Sequence, residues 1–290
     1  MPRVLCFGEV LWDLLPHGRY LGGAPLNVAY HLAQLGCNTA LASSVGADAA
    51  GSAALAAISM RHIDATAIGR HPTFPTGTAT VCLDCNGQAR FEILQPAAWD
   101  EIACAPLLSS PAPAAIVFGT LALRSPGNRA ELTCLLDAFP QAWVVCDLNL
   151  RPPFDDLGPL TPFLRRAHLL KFNADEARRL SGGAPDETDW RALTAKLAEH
   201  HRNAIVCVTL GGDGACLRDG SLWCTVEAPP VAVRDTVGAG DAFTAAIVAG
   251  RLRFPSHSWP RVLRAACQLG AFVANHKGAQ PAYGDFQPSW

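Results

Sequence analysis

The sequence predicts an α/β protein built on a doubly wound, mostly parallel sheet. Short apolar or β-branched runs alternate with longer segments of helical period, which is typical of parallel strands joined by crossover helices. The chain has 290 residues, 50% hydrophobic and 17% charged, enough for one large or two modest domains with a buried core. No low-complexity linker and no repeat of roughly 20–50 residues interrupts it.

Six short runs are predicted to form the strands. Between them, apolar residues at helical spacing predict a first long helix that Gly36 closes and another helix at residues 193–197. The strand candidates are residues 4–7, 40–45, 116–118, 143–146, 169–172 and 205–210. The apolar face of the first helix consists of Leu26, Ala29, Leu32, Ala33 and Leu35.

One stretch breaks this alternation and predicts a β-hairpin. Residues 76–84 and 89–94 each alternate in polarity, and they flank residues 85–88, which contain the turn-favouring pair Asn86-Gly87. Such a hairpin is either a sheet edge or a flap standing off the core beside a ligand cleft. The sequence leaves both interpretations open.

Charge and hydropathy exclude two classes of partner. With 25 acidic and 23 basic residues, the net charge of −2 leaves no basic surplus to neutralise a phosphate backbone, so we expect no nucleic-acid partner. Residues 20–47 and 102–123 contain no Asp, Glu, Lys or Arg, but polar residues and glycines interrupt the first and prolines the second. We therefore expect no membrane partner.

The cysteines indicate a reducing compartment. There are eleven, an odd number, and most lie within apolar runs, as expected of reduced core thiols in a cytoplasmic protein. The single CxxC, at Cys82 and Cys85, has no second Cys or His pair at zinc spacing, which argues against a metal site. Residues 1–9 contain too short an apolar run for a signal peptide, so we expect no secretion.

The most informative segment is residues 234–243, where small residues lead directly into a predicted helix. Gly238, Ala239 and Gly240 leave their backbone N–H groups open to a ligand at the helix N-terminus, where the helix dipole attracts an anion. Asp241 falls in the first turn, placed to accept a proton from a hydroxyl beside that anion site. The alternative, an Asp that only caps the helix, is equally compatible with the sequence.

Other phosphate-binding signatures are missing. The sequence contains no GxxxxGK[ST], no GxGxxG opening a helix after the first strand, and no His-Arg-Asp catalytic loop. These absences exclude the P-loop, dinucleotide-binding and protein-kinase interpretations.

Three further segments suit a nucleotide or a polyol. Residues 209–214 follow a strand and offer open backbone donors, or form an ordinary turn between strands. Asn173 and Glu176 place an amide and a carboxylate on one helical face, apt for a phosphate or a hydrated Mg²⁺, or for helix capping. Asp13 and residues 22–27 carry polar groups for a polyol, or serve as turns.

These motifs together resemble the PfkB-type, ribokinase-like sugar kinase family over almost the whole chain. Residues 22–27 are similar to the start of its first signature, residues 235–248 fit its second at every constrained position, and residues 173–176 are similar to its NxxE motif. The first signature continues through Gly36, Gly46, Asp48 and Gly51. The resemblance implies a single three-layer domain over residues 1–290. It also implies a small β lid formed by about 72–95 with a contribution from about 10–22.

The resemblance also implies a role for individual residues. Asp241 is expected to be the catalytic base, with an anion hole formed by Gly238, Ala239 and Gly240. The implied sugar-binding residues are Asp13, Gly23, Asn27 and Arg151. The implied ATP-binding residues are Asn173, Thr209, Gly211 and Gly214. Two metal sites are also implied. Glu176 is expected to act on Mg²⁺ through water. Asp235 and the carbonyl of Val237 are expected to bind a monovalent cation, usually potassium, at a site that the loop 273–282 closes.

Within the family, residues 8–13, Pro25 and residues 147–151 are most similar to fructokinases. The resemblance therefore implies an ATP-dependent kinase that makes fructose 6-phosphate, with 2-keto-3-deoxygluconate kinase and ribokinase as alternatives. Residues 152–154 are Pro-Pro-Phe where fructokinases usually continue with Leu-Trp, and Ala282 stands where relatives often carry Ser.

Two further alternatives stay open. A sugar-binding regulatory protein without turnover belongs to a different class, although retention of Asp241, Gly238 and Gly240 argues against it. Relatives often form homodimers through the lid, and the alternation in residues 78–83 fits either such a partner face or a strand packed on its own core.

Overall fold

The computed structural model describes residues 1–15, 18–83, 89–202 and 205–290, and at 81–83 and 89–91 it describes the backbone alone. The strands are β1 (Arg3–Phe7), β2 (Leu11–Leu15), β3 (Gly18–Gly22), β4 (Asn38–Gly46), β5 (Ile63–Asp64), β6 (Ile68–His71), β7 (Gly77–Leu83), β8 (Ala89–Ile93), β9 (Ala115–Gly119), β10 (Trp143–Asp147), β11 (Leu169–Asn173), β12 (Ile205–Thr209), β13 (Ala215–Asp219) and β14 (Leu222–Val226). The helices are α1 (Ala24–Gln34), α2 (Ala49–Ser59), α3 (Ala105–Leu108), α4 (Pro126–Ala138), α5 (Thr161–Arg166), α6 (Ala174–Ser181), α7 (Trp190–His201), α8 (Ala239–Arg253) and α9 (Trp259–Ala274).

The main sheet has the strand order β14-β13-β12-β11-β10-β9-β1-β4-β5, and β6 also pairs with β4. The pairs from β5 to β12 are parallel, whereas β13 and β14 are antiparallel additions at one edge. The prediction of a mostly parallel central sheet is confirmed. The chain order reverses direction beside β1, because β4 lies on one side of it and β9 on the other, and such a switch point opens a crevice at the carboxyl ends of the strands.

Two hydrophobic cores cover the two faces of this sheet. Side chains of α1, α2, α8 and α9 pack in one core, and those of α3 to α7 pack in the other. Successive strand residues alternate between the cores, as with Leu5 and Cys6 in β1. The fold therefore has three layers, helices, sheet and helices.

All six predicted strands are present, and the first helix ends as expected, with Gly36 at a φ of 76°. Thr209 ends β12, and a 3₁₀ turn at Gly211–Asp213 leads to β13, so residues 209–214 do form a turn between strands. That they also bind a nucleotide stays a prediction. The strands that were not predicted individually from the sequence are β2, β3, β5, β6, β13 and β14.

A second, four-stranded sheet, here called the small sheet, has the order β3-β2-β7-β8. The predicted hairpin is present as the antiparallel pair β7 and β8, and its turn at residues 85–88 lies outside the described residues. Because β7 pairs with β2 and, among the described strands, β8 pairs only with β7, the hairpin forms an edge of the small sheet and not of the main sheet. Its interpretation as a flap stays a prediction.

Both ends of the hairpin are tied to the main body. At its start, the Thr76 N–H and hydroxyl donate to the two carboxylate oxygens of Asp48, over 2.8 and 2.6 Å. At its end, the Arg124 guanidinium donates to the carbonyl of Leu94 over 2.8 Å and forms a buried ion pair with Asp100 at 2.7 Å. These contacts fix where the small sheet leaves the core.

The described residues also bear on the thiol and membrane predictions. Nine cysteines are free, and all are buried except the exposed Cys134 and the half-buried Cys224. The Cys82 and Cys85 pair lies outside the described side chains.

In the part of the chain that the structure describes, none of the helices has both the length and the apolar character needed to cross a membrane.

Candidate active site

A cleft of about 1290 Å³ lies at the carboxyl ends of the parallel strands. Its floor includes residues that end or follow β1, β9, β10, β11 and β12, and the N-terminus of α8 forms one wall. The small sheet contributes an opposite, largely apolar wall through Leu11, Leu15, Ala79 and Ile93. The cleft thus lies where the switch point of the sheet predicts a crevice.

The fold brings almost all of the predicted site residues into this one cleft. Glu176 is the exception, because it lies beside the lining and not in it. The residues that line the cleft are Asp13, Gly23, Asn27, Arg151, Asn173, Thr209, Gly211, Gly214, Asp235, Val237, Gly238, Ala239, Gly240 and Asp241.

The N-terminus of α8 has the form of an anion site. Gly238 precedes the helix at a φ of 79°, and a Cβ there would collide with Ala279. Within the described residues, the amides of Gly238 and Gly240 have no backbone acceptor, whereas the Ala239 N–H donates to the Thr236 carbonyl over 3.3 Å. Open N–H groups and the positive end of the helix dipole thus face the cleft together.

Asp241 lies in the first turn of α8, and its side chain is 8% exposed. Its Oδ2 accepts a hydrogen bond from Asn27 Nδ2 over 2.8 Å, and no side-chain cap is formed at this helix, so the capping alternative is wrong. The pKa of Asp241 is raised to about 6, mainly by burial and further by the negative charge of Asp147. The hydrogen bond from Asn27 and the positive charges of Lys171 and Arg151 oppose this rise. A carboxyl with this pKa is ionised at neutral pH yet basic enough to accept a proton.

The start of α1 carries the partner of that carboxyl. Gly23, at a φ of 112°, packs so closely on the carbonyl of Glu9 that a side chain there would collide with it. One turn later, Asn27 donates to Asp241 and accepts from Gln280 Nε2 over 2.8 Å. Both functional ends of the Asn27 amide are therefore occupied, which fixes its orientation.

Three carboxyl groups and one guanidinium gather around this end of the cleft. Burial raises the pKa of Glu9 to about 7 and that of Asp13 to about 6, and in both cases the positive charge of Arg151 opposes the rise. Glu9 Oε1 accepts the Ala24 N–H over 3.1 Å, and its Oε2 is buried without a partner among the described residues. The group of Asp13, Arg151 and Asn27 offers both donors and acceptors to a polyol.

Asn173 and Glu176 form a reciprocal cap at the start of α6. The Glu176 N–H donates to Asn173 Oδ1 and the Asn173 N–H to Glu176 Oε2, each over 2.9 Å, so the capping alternative is confirmed. The Leu150 N–H donates to Glu176 Oε1 over 2.7 Å. Both oxygens of Glu176 thus already accept a backbone N–H.

The carboxylate of Glu176 beside the cleft is an oxygen donor of the type that Mg²⁺ prefers. The described residues include no group of three or more His, Cys, Asp or Glu side chains that could hold a metal ion. Asp235 accepts the N–H groups of Val237 and Gly278 over 3.0 and 2.9 Å, and its carboxylate is a hard oxygen donor of the type that alkali cations prefer.

The loop 273–282 is held against the site by residues that the sequence analysis did not identify. His31 is fully buried and contacts the carbonyl of Ala279 and the hydroxyl of Tyr283, both at 2.9 Å. Burial lowers the pKa of His31 to about 4, so the ring is neutral at physiological pH. Within that loop, Gln280 reaches Asn27. No local motif identifies these residues, because they meet only in the folded chain.

Lys171, Asp147 and Thr244 form a second cluster that was not predicted from the sequence, beside the start of α8. The ammonium of Lys171 forms an ion pair with Asp147, and Thr244 donates to the same carboxylate. The available signal was the single charged residue, Lys171, in the otherwise apolar run of residues 169–172. A lysine is rarely buried in a strand without a partner.

A family model for pfkB family carbohydrate kinases matches residues 17–283. This chain belongs to that family. The match includes both predicted signatures and the cleft between them, so the resemblance seen in the motifs is confirmed.

Similar proteins agree with this PfkB membership. The fructokinase of Salmonella typhimurium is 26% identical, and that of Klebsiella pneumoniae is 28% identical; each alignment covers 97% of this chain and 95% of the relative. The crystal structure of fructokinase from Vibrio cholerae O395 with bound fructose, ADP and calcium ion superimposes with a TM-score of 0.83 at 24% identity. The superposition covers 97% of this chain and 96% of that chain. The ribokinase-like fold is thereby confirmed.

Gly238→Ala should destabilise this PfkB kinase more than a matched glycine substitution does. Gly220 also has a positive φ, 57°, but open space around its Cβ position, so Gly220→Ala isolates the backbone strain. We expect a loss in free energy of unfolding of about 1 kcal/mol at Gly220 and about 2–4 kcal/mol at Gly238, where the collision with Ala279 adds to the strain. Urea denaturation measures both, and equal losses would contradict the close packing of the loop.

Proposed function

We propose that this carbohydrate kinase is an ATP-dependent fructokinase that converts D-fructose to fructose 6-phosphate. The observation that carries the proposal is the buried Asp241 carboxyl, oriented by Asn27 and adjacent to the open amides of the first turn of α8. The similarity to fructokinases over nearly the full length supports fructose as the acceptor. The fructose and ADP in the Vibrio cholerae structure support a sugar and a nucleotide sharing one cleft.

In the proposed reaction, the acceptor hydroxyl lies between Asp13, Asn27 and Arg151 with its proton toward Asp241 Oδ. The hydroxyl oxygen forms a bond to the γ-phosphorus as the bond to the β,γ-bridging oxygen breaks. Asp241 takes the hydroxyl proton and ADP leaves with the bridging-oxygen electron pair. The open amides of Gly238 and Gly240 stabilise the negative charge on the moving phosphoryl group. The Ala239 N–H joins them only by giving up its 3.3 Å hydrogen bond to the Thr236 carbonyl.

The nucleotide is proposed to lie along Asn173, Thr209, Gly211 and Gly214, which form the adjacent part of the cleft. Glu176 is proposed to orient a water of the Mg²⁺ that would accompany ATP, and that ion would supply positive charge against the phosphates. Potassium is proposed to bind at Asp235 and the carbonyl of Val237, behind the anion hole.

The small sheet is proposed to act as a lid. Its cleft-facing side is largely apolar, with Leu11, Leu15 and Ile93 around the carboxyl of Asp13. Its hairpin is tied to the body at Thr76 and Leu94. Closure over the sugar would exclude water, which otherwise competes as the phosphoryl acceptor. The homodimer through this sheet stays a prediction.

Asp241→Asn should abolish most turnover while leaving the fold intact. Asparagine keeps the shape and can still accept from Asn27, but it cannot take up a proton. We expect kcat to fall by about 10²–10⁴-fold, measured as ADP release with fructose, at an unchanged melting temperature. Wild-type turnover in a folded Asp241→Asn variant would show that another group is the base.

The rate should depend on pH through the carboxyl of Asp241. Since folding raises its pKa from 3.8 to about 6, the active ionised form disappears as the pH falls below about 6. We expect kcat/KM for fructose to fall about tenfold per pH unit on that limb, because one proton inactivates the base. Asp13 titrates in the same range, so Asp13→Asn is the control. Loss of the acid limb in that variant would assign it to Asp13.

The acceptor is decided by comparing sugars in one assay. ADP release is measured with fructose, ribose, ketodeoxygluconate, tagatose and nucleosides, and fructose should give the highest kcat/KM. A higher value for ketodeoxygluconate or ribose would assign one of those kinases. Sugar-induced thermal stabilisation without ADP release would instead indicate a regulatory binding protein.

A further inference from the structure

Lys171 is a charged residue in the interior of the main sheet. It lies in β11 between Leu170 and Phe172, and it is 7% exposed. Its Nζ lies 3.0 Å from Oδ1 and 2.9 Å from Oδ2 of Asp147, the residue paired with it in register on β10. Burial is the largest single effect on the pKa of Lys171 and would lower it. The charge and hydrogen bonds of Asp147, together with the charges of Asp241 and Glu176, outweigh burial and raise the pKa, so the ammonium stays protonated.

A hydroxyl on α8 completes this cluster. Thr244 donates to Asp147 Oδ2 over 2.6 Å, and its oxygen lies 3.1 Å from the carbonyl of Gly240. Asp147 therefore accepts from a strand residue and from a helix residue one turn beyond Gly240. The ammonium is fixed relative to the N-terminus of α8 by side chains from β10, β11 and α8.

The ammonium is located directly at the anion site. A Cβ built on Gly240 would lie 3.0 Å from Lys171 Nζ, so the charge touches the backbone whose amides face the cleft. Lys171 also lines the cleft, whereas Asp147 does not. The positive end of the buried pair thus points toward the place where a phosphoryl group would pass, and its negative end points away.

We propose that Lys171 is a fixed cation of the anion hole, which stabilises the negative charge on the phosphoryl group during transfer. This inference rests on the proposed kinase function. Lys171 keeps its proton throughout and forms no bond to phosphorus. Asp147 is a positioning residue, which holds the ammonium in place together with Thr244.

A purely structural role would be a weak explanation for this pair. Burying two charges costs several kcal/mol, and replacing a buried ion pair by apolar residues of similar size is often neutral or stabilising. An apolar residue at position 171 would continue the strand Leu169–Asn173 between two hydrophobic cores. The Lys171 ammonium is retained at the cleft although burying the ion pair costs free energy, which indicates that the charge has a function there.

The test uses a double variant, Asp147→Asn with Lys171→Met. Lys171→Met alone would leave the Asp147 carboxylate buried without its cation and would unfold the protein for a reason unrelated to catalysis. The double variant removes both charges, and the introduced amide oxygen can still accept from Thr244. A second double variant, Asp147→Leu with Lys171→Leu, fills the same space with apolar side chains and should show the same loss of activity. It is used if the first double variant does not fold.

We expect the double variant to keep its melting temperature within a few degrees. Its kcat at saturating fructose and ATP should fall on the order of 100-fold, the scale of losing one donor of an oxyanion hole. The KM for fructose should change less than about threefold, since Asp13, Asn27 and Arg151 are untouched. Loss of packing alone would not separate kcat from KM in this way.

A folded double variant with kcat within about threefold of the wild type would overturn the inference and leave the kinase proposal standing. A wild-type protein that releases no ADP with any acceptor would instead overturn the kinase proposal itself. The wild-type measurement therefore distinguishes the two failures.

Discussion

The hydrogen bond from Asn27 to Asp241 joins residues 214 positions apart, and the geometry of the cleft depends on it. It connects the first turn of α1 to the first turn of α8, two helices that pack in the same core. The Asn27 amide is itself held by Gln280, so three distant segments converge on one carboxyl. Any shift between α1 and α8 would move the base relative to the amides of Gly238 and Gly240.

The cleft concentrates acidic groups in a poorly solvated place, and the neighbouring residues limit the cost. Burial raises the pKa of Glu9, Asp13 and Asp241, while Arg151 opposes the rise in each case. Lys171 and Asp147 add a buried pair of opposite charges. A set of carboxyl groups with raised pKa beside two cationic side chains is typical of a functional site.

The small sheet contributes to the site in a different way. It leaves the core through anchored ends at Thr76 and Leu94, and it faces the cleft with aliphatic side chains. Most polar groups for recognition come from the floor, and the small sheet adds the carboxyl of Asp13 on β2 to an otherwise largely apolar wall. This division suits a polyol whose hydroxyls face the floor in a site closed to water.

The sequence by itself determined the fold class and the first-turn position of Asp241, and its family motifs identified fourteen of the residues that line the cleft. The first two are local properties, because the period of apolar residues sets strands and helices, and small residues before a helix expose its amides. The tertiary structure alone decided between alternatives that share a local pattern. Asp241 could cap its own helix or face a partner, and only the arrival of Asn27 from α1 determines which.

The same reason explains what the sequence did not reveal. Strands β2 and β3 are short, and they form by pairing with each other and with β7. His31, Gln280 and Lys171 carry no local motif, because each acquires its role from a residue on another element. Asp147 begins the fructokinase-like residues 147–151, but its contact with Lys171 is not visible in that motif. Contacts between distant segments depend on how helices pack across the sheet, and one stretch of sequence does not encode that packing.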